Sequence, residues 1–401
     1  MTFAQPPSGV RLPGALVATS FVLLLVLSYV GPQAFAPLAG IFGLLALPWV
    51  LTRAKPPGWQ TALVLLVAWS AASLFWAPAP LSPIRWDQQT ALKLALQAAL
   101  YPPLILIAAR IGEPEARRAS LIMAWGACCL SLLVILDAIL GAQLYLAMTR
   151  LVGLTVTPDI GVIKLAQNGC TLAVLFWPAR DALRNIGHPL TPFVLVVALA
   201  CASLLLGADA PVLATLAGAV AYGVVRRYGR TGLSWIIRGV TLYWFATPLL
   251  VFGARATGLI GLAAAHAPAS WASRLQIWSF AIDRIAEHPL IGWGLDASRA
   301  FPEAIPLHTH NGALQLWLEL GLPGALIMAA LWAIAFRLIA ARIEQRQAAA
   351  AAAAVAVACL ATGAVSFGLW QEWWLALQAF AATACVLMFR GRSVAPPQED
   401  R

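Results

Sequence analysis

The chain alternates long apolar runs with short breaks of Pro, Gly or charged residues. A helix of about 20 mostly apolar residues crosses a bilayer, and breaks of this kind mark its ends. Twelve runs are long enough, and they cover about 14–30, 37–52, 59–76, 91–111, 119–140, 165–185, 191–207, 210–225, 234–253, 322–340, 349–367 and 371–390. The pattern predicts an all-α, polytopic membrane protein with twelve transmembrane helices.

The composition agrees with the pattern. Of the 401 residues, 61% are hydrophobic and only 10% are charged, against about 25% charged residues in soluble domains. A cytosolic enzyme, a disordered chain and a disulfide-stapled secreted module are excluded on these numbers. The six cysteines all lie within apolar runs without the spacing of metal ligands, so we expect them to be small buried side chains.

The basic residues indicate an orientation. The chain has 26 Lys and Arg residues, and with a cytoplasmic N-terminus 18 of them fall on the cytoplasmic side. The outer segments hold the other eight, which are Arg85, Lys93, Arg150, Lys164, Arg255, Arg274, Arg284 and Arg299. This is the positive-inside bias. The net charge of +10 is therefore interpreted as a signal for topology and for anionic lipid in the bilayer, with no nucleic-acid partner.

The spans divide the chain into three parts. Residues 1–253 carry the first nine spans, 254–321 form a long outer loop, and 322–401 carry the last three spans and a cytoplasmic tail. The loop contains four of the five histidines, namely His266, His288, His308 and His310. Titratable groups are scarce elsewhere, so the loop is the predicted site of chemistry.

Arg274 is the first candidate in the loop. Apolar residues recur every three or four positions from Ser270, which predicts a helix capped by Ser270 and lying in the membrane interface. Arg274 lies in the second turn of this predicted helix, on the same face as Trp278. A guanidinium near a helix N-terminus favours phosphate binding, and the alternative is an arginine that only snorkels.

His310 is the second candidate. It precedes an apolar helix, 313–320, that ends at the Gly-rich break 321–324. The positive end of the helix dipole disfavours imidazolium, and a neutral imidazole can act as a general base. His308 and His310 alone supply two metal ligands, so no metal site is predicted. Glu319, in the same apolar helix, is expected either to be paired or to face a polar cavity.

These residues resemble the O-antigen ligase and polymerase superfamily. Arg274 with Trp278, the stretch His288-Pro289-Leu290-Ile291-Gly292-Trp293-Gly294, and His310-Asn311 are similar to its motifs. Its ligase signature is His followed by Asn, Ser or Gln, then nine residues, Gly, two residues, and Gly, Thr or Tyr. The chain matches it in full, with Gly321 and Gly324 as the final pair.

The resemblance implies a metal-independent glycosyltransferase of the GT-C type without a cofactor. It would move a glycan from undecaprenyl pyrophosphate to lipid A–core or another glycan acceptor, in the bacterial inner membrane with its site facing the periplasm. By the same resemblance, His310 would activate the acceptor hydroxyl and Arg274 would hold the pyrophosphate. Asn311 and Trp278 would contact substrate.

One position departs from the family. The family has a second essential Arg in a Ser-Arg-Gly-like stretch at the outer end of the seventh span, where this chain has Asp209-Ala210. Lys164, Arg150 and Lys93 are the candidate replacements, and Lys164 is preferred because it precedes a polar triplet, 167–169. The alternatives are that Lys164 only snorkels or that the substrate differs.

Two other functions are compatible with parts of the sequence. An O-antigen polymerase or a protein O-oligosaccharyltransferase of the same superfamily would share the donor and differ in the acceptor. A twelve-helix transporter or flippase would be a different class. Transporters commonly consist of two related halves with polar residues at the midplane, and this chain shows neither feature.

Overall fold

The computed structural model describes residues 12–51, 58–78 and 89–391, and this part of the chain is helical without strands. Its α-helices are α1 (Leu12–Val30), α2 (Phe35–Val50), α3 (Gly58–Ala72), α4 (Thr90–Ala108), α5 (Glu113–Ile139), α6 (Gln143–Leu151), α7 (Pro158–Arg184), α8 (Phe193–Leu206), α9 (Asp209–Tyr228), α10 (Arg230–Ala256), α11 (Leu259–His266), α12 (Ala269–Glu287), α13 (Gly312–Ala340), α14 (Arg346–Val365) and α15 (Glu372–Arg390). Short 3₁₀ turns cover Pro32–Ala34, Ser73–Phe75 and Ala297–Ala300.

The all-α, polytopic class is confirmed, with ten helices among the described residues long and apolar enough to cross a membrane. Each of the twelve predicted spans corresponds to a helix. However, α8 has only 14 residues, and α9 does not meet the same length and hydropathy criteria. The number twelve therefore stays a prediction. Six of the basic residues used to orient the chain lie outside the described residues, namely Arg11, Arg53, Lys55, Arg85, Arg392 and Arg401.

The connections between helices lie at two opposite ends of the bundle. At one end Arg110, after α4, donates to backbone oxygens at the end of α2, and Arg390, at the end of α15, donates to the carbonyl of Ile111. At the other end Tyr29 of α1 donates to Asp137 of α5, and Lys93 of α4 pairs with Glu372 of α15. The loop 288–311 lies at this second end, which we call the site end.

The loop 288–311 follows α12. This helix begins at Ala269, so Ser270 lies in its first turn and does not cap it, contrary to the sequence prediction. It ends at Glu287, before His288-Pro289 as predicted. Gly292 and Gly294 then turn the chain with φ of 69° and 94°.

The predicted break 321–324 is a kink within α13. At Gly321 φ is 60° and ψ is −153°, a conformation that is essentially restricted to glycine. Pro323 lacks the N–H that would bond to the carbonyl of Glu319, two residues before the kink. The helix therefore bends here for an identifiable reason.

The turn 288–294 donates hydrogen bonds to backbone carbonyls of α13 that lie next to the kink. The N–H of Trp293 donates to the carbonyl of Leu318 at 2.8 Å, and the N–H of Gly294 donates to that of Glu319 at 2.8 Å. Trp69 of α3 donates its indole N–H to the carbonyl of Leu320 at 2.9 Å. Buried backbone groups are costly without partners, so α12, α13 and α3 are joined at this point.

We predict that Gly321→Ala destabilises the protein. A Cβ at this position would lie 2.6 Å from the backbone nitrogen of Gly292, in addition to the positive φ. The expected loss is roughly 1–3 kcal/mol of unfolding free energy, measured as a lower melting temperature of the purified protein in detergent. Gly253→Ala in α10 is the control, since nothing lies within 4 Å of its Cβ position. Equal melting temperatures for the two variants would contradict the prediction.

Candidate functional site

Three segments meet at the site end of the bundle. They are the first half of α12, the residues 308–311 that precede α13, and the turn 366–371 between α14 and α15. Trp278 of α12 donates its indole N–H to the carbonyl of Thr309 at 2.8 Å, and His310 bonds to Ser366. The site is therefore assembled from parts of the chain that are far apart in sequence.

Two hydrogen bonds fix the half-buried His310, one through its side chain and one through its backbone N–H. Nδ1 lies 2.7 Å from the carbonyl oxygen of Ser366, an acceptor, so Nδ1 carries the proton. The backbone N–H of His310 donates to Nδ1 of His308 at 3.1 Å, and holds the residue at φ 53°. In the neutral ring, the lone pair is therefore on Nε2, which has no hydrogen-bond partner among the described residues. Nε2 is the nitrogen available to accept a proton.

The surroundings favour the neutral form of His310. Burial lowers the pKa of its imidazole, and the positive charge of Arg274 lowers it further, while the bond to Ser366 acts in the opposite direction. The sequence predicted a neutral ring from the dipole of the following helix. The structure supplies burial and a neighbouring guanidinium as the causes.

His308 supports His310 and is not available as a base. Its Nδ1 accepts from the backbone of His310, so the proton of the neutral ring is on Nε2, which lies 3.2 Å from the side-chain amide of Gln371. An Nε2–H requires the carbonyl oxygen of that amide as its acceptor. Burial, together with the charges of Arg299 and Arg274, lowers the pKa of His308 to about 3.

The guanidinium of Arg274 is open to a ligand. It lies over the ring of Trp271, 4.9 Å from the centroid, and no described residue accepts a hydrogen bond from it. Burial lowers the pKa of Arg274, and the charge of Asp209 raises it, but an arginine stays charged in proteins. Its five donors are therefore unoccupied, which is the condition for binding an anion such as a phosphate.

Arg274 and His310 lie in the same site. Trp278 is one helical turn after Arg274, on the same face of α12, and its bond to Thr309 holds that face against the residue before His310. The charge of Arg274 acts on the pKa of both His308 and His310. An unoccupied cation and an unoccupied neutral base are thus brought together.

The side-chain oxygen of Asn311 and the indole N–H of Trp278 are both hydrogen-bonded within the protein. The side-chain oxygen of Asn311 accepts from the N–H of Leu314 at 3.0 Å and caps α13. These two bonds hold the loop before α13 in place. Contact of Asn311 and Trp278 with substrate stays a prediction.

The candidate replacements for the missing arginine differ in their environment. Lys93 pairs with Glu372 at 2.6 Å, and Arg150 is exposed at the end of α6. Lys164 is half-buried, without a hydrogen-bond or ion-pair partner in the described part of the chain. It lies about 7.5 Å along α7 from Gly169. A Cβ added at Gly169 would lie 3.0 Å from Pro211 at the start of α9, so the two helices are in close contact there. Lys164 is therefore at the site end.

Asp209 lies in the stretch where the resemblance implies a second arginine. It accepts a hydrogen bond from the hydroxyl of Ser203 at 2.6 Å, and its charge acts on Arg274. The departure from the family pattern thus changes the sign of the charge beside the candidate anion site.

Glu319 is fully buried and accepts four hydrogen bonds. Its donors are the N–H of Asp296, the hydroxyl of Ser298, the amide of Gln315 and the indole of Trp370, at 2.6–3.0 Å. The sequence left open a pairing or a polar cavity. The structure shows a pairing with neutral donors, and it ties α13 to both the loop 288–311 and the turn 366–371.

The turn 366–371 is the part of the site that sequence reasoning missed. Ser366 orients His310, Gln371 contacts His308, and the N–H of Leu369 donates to Gln315 at 2.8 Å. The sequence signal that could have indicated this turn is the polar break containing Gly368, which separates two apolar runs. Within the described ranges, no three His, Cys, Asp or Glu side chains are grouped as metal ligands would be.

These features define a polytopic membrane protein with an unoccupied base and cation at one end of its helices. Comparison with known proteins agrees with this class. Residues 194–329, about a third of the chain, match the model of the family described as O-antigen ligase. The resemblance predicted from the motif is confirmed, and the region that is similar to this family contains Arg274, His310 and Gly321.

Relatives from Rickettsia match a similar share of the chain. A protein of R. conorii is 31% identical over 120 residues, one of R. typhi 29% over 121, and one of R. bellii 32% over 121. All three are named "Putative polysaccharide ligase". The matches cover 26–27% of this chain, and the chain spans only 29% of the length of each of these relatives.

We predict that His310 titrates below the ordinary histidine pKa of about 6.5, and that Arg274→Gln raises its pKa. Removing the guanidinium removes one of the two causes that disfavour imidazolium, while burial remains. Nuclear magnetic resonance of the protein labelled in its histidine rings measures both values, with the His310→Ala spectrum assigning the signal. An ordinary or higher pKa, or one unaffected by Arg274→Gln, would show that the two groups do not interact.

Proposed function

We propose that the protein transfers a glycan from a polyprenyl pyrophosphate donor, undecaprenyl pyrophosphate in bacteria, to a hydroxyl of lipid A–core. The observation that carries the proposal is that a cation and a base lie in one site, each without a hydrogen-bond partner for its reactive atoms among the described residues. Arg274 offers five donors to an anion, and His310 offers a lone pair on Nε2. The O-antigen ligase domain and the names of the relatives support this class of reaction.

The proposed reaction is a single displacement at the anomeric carbon. Nε2 of His310 takes the proton of the acceptor hydroxyl, and the acceptor oxygen forms a bond to the anomeric carbon as the bond to the phosphate oxygen breaks. The electron pair of that bond leaves with the pyrophosphate. Arg274 stabilises the charge that develops on the leaving group, in a site shielded from water. These steps need neither a metal ion nor a cofactor.

The site end would face the periplasm. The positive-inside bias supports an orientation with this end outside the cytoplasm. The donor glycan would then enter from the outer leaflet while its lipid stays in the bilayer. A polymerase or a protein O-oligosaccharyltransferase would use the same donor and the same two groups. They differ from the ligase in the acceptor.

His310→Ala should abolish transfer, and Arg274→Gln should do so as well, while both proteins remain in the membrane at normal levels. Loss of a general base costs about 10²–10⁴-fold in rate. The assay uses purified protein, a polyprenyl pyrophosphate-linked glycan and lipid A–core in excess EDTA. Controls are His266→Ala, at an exposed histidine at the end of α11, and Arg342→Gln, at an exposed arginine just after α13. Normal transfer by the two site variants would exclude the mechanism.

The acceptor is identified in a deletion strain. A ligase defect leaves lipid A–core without long chains and accumulates polyprenyl-linked polymer. A single repeat unit on the core would instead indicate a polymerase.

Lys164→Gln should raise the KM for the donor about tenfold with little change in kcat. The reason is that we assign Lys164 the role of the second cation for the pyrophosphate, and a hydrogen bond to a charged group contributes about 1.5–3 kcal/mol. Arg150→Gln, which removes an exposed charge nearby in sequence, is the matched variant. Wild-type donor kinetics for Lys164→Gln would remove Lys164 from the site.

A further inference from the structure

A polar cavity of about 310 Å³ lies behind His308, at the site end of the bundle. Its walls come from the start of α4, the loop 288–311, α13, and the turn 366–371 with the start of α15. The volume is at the lower limit of small-molecule binding pockets. Arg274, Asp209 and Lys164 do not line it, so it is separate from the candidate pyrophosphate site.

The cavity is close to the proposed base. His308 forms part of its wall and lies ring to ring with His310, at 4.1 Å between centroids. The charges of Arg299, in the wall, and of Arg274, on α12, both act on His308. A molecule in the cavity would therefore be separated from His310 by a single side chain.

The charges of the wall are balanced. Lys93 pairs with Glu372 at 2.6 Å, and Arg299 lies 3.7 Å from Asp296. With His308 neutral, the described wall residues carry two positive and two negative charges. A phosphate or a carboxylate would find as many repulsive groups as attractive ones, whereas a neutral ligand with many hydroxyl groups can use both.

The wall also contains unused polar and aromatic groups. When the carbonyl oxygen of Gln371 accepts from His308, its NH₂ group is left without a partner among the described residues. Trp373 and Trp370, both buried, also line the cavity. Ligand pockets combine such apolar surfaces with a few polar groups that fix orientation.

We propose that this cavity binds the acceptor saccharide, as a neutral, hydroxyl-rich segment, and directs one of its hydroxyls past His308 to His310. The inference rests on the proposed function. It adds that donor and acceptor occupy opposite sides of the histidine pair. Arg274 holds the donor pyrophosphate on one side, and Arg299 and Gln371 hold the acceptor on the other.

The test compares acceptor and donor kinetics in full-length protein. Arg299→Gln should raise the KM for lipid A–core about tenfold, with kcat and the KM for the donor unchanged. Gln371→Ala should raise the same KM without changing that for the donor, and it should also lower kcat, because His308 loses the acceptor that holds it beside His310. Arg299 is largely exposed, so its replacement is expected to leave the fold intact. Arg342→Gln, an exposed arginine at the opposite end of α13, is the matched control.

A binding measurement complements the kinetics. The probe is a deacylated and dephosphorylated core oligosaccharide, titrated against wild-type protein and the same variants by calorimetry. We expect binding to the wild type, about tenfold weaker binding to Arg299→Gln, and unchanged binding to Arg274→Gln.

Three results would overturn the assignment: a raised donor KM in Arg299→Gln and Gln371→Ala, kinetics equal to those of Arg342→Gln, or oligosaccharide binding that requires phosphate. The proposed function fails independently of these results, through retained transfer by His310→Ala or Arg274→Gln.

Discussion

The site depends on the hydrogen bond between Nδ1 of His310 and the carbonyl oxygen of Ser366. Because a carbonyl only accepts, this bond places the proton on Nδ1 and the lone pair on Nε2. The two residues belong to different connections of the bundle. Buried Glu319 fixes both connections to α13 through the backbone of Asp296 and the indole of Trp370, so the orientation of one imidazole is determined by the packing of several helices.

The motif shared with the O-antigen ligases is mainly a structural motif. His310 carries an imidazole nitrogen without a hydrogen-bond partner among the described residues, whereas Asn311 caps α13 and Gly321 permits its kink. Gly324 is also required by packing, since a Cβ there would lie 2.5 Å from Cβ of Leu320. The spacing of the motif therefore corresponds to the stretch of α13 between His310 and the kink at Gly321. At this kink α13 is joined to the turn 288–294.

Much of the fold could be predicted from sequence because it depends on local patterns. Apolar runs mark the helices, and the concentration of polar residues marks the loop that contains Arg274 and His310. The roles of Ser366 and Gln371 could not be predicted in this way. They lie 56 and 63 residues after the histidines that they contact, and a single backbone carbonyl or amide leaves no periodic signal. The cap formed by Asn311 was local, but the resemblance favoured a role in substrate binding.

The second arginine that the resemblance implies has no counterpart in the stretch around Asp209. Asp209 places a negative charge near Arg274, and Lys164, half-buried and without an ion-pair partner among the described residues, lies at the same end of the helices. A pyrophosphate bound by Arg274 would have to tolerate this carboxylate. Its binding therefore depends on further positive charge at the same end, which distinguishes this site electrostatically from one built on two arginines.

The most direct measurement is an experimental structure of the protein with a polyprenyl pyrophosphate-linked glycan bound. We expect the diphosphate against the guanidinium of Arg274, with the anomeric carbon on the side of Nε2 of His310. A groove of about 590 Å³ beside Arg117 and Arg118, where α5 begins, is another place with positive charge for such a ligand. A diphosphate bound there, with Arg274 and His310 unoccupied, would contradict the proposed function.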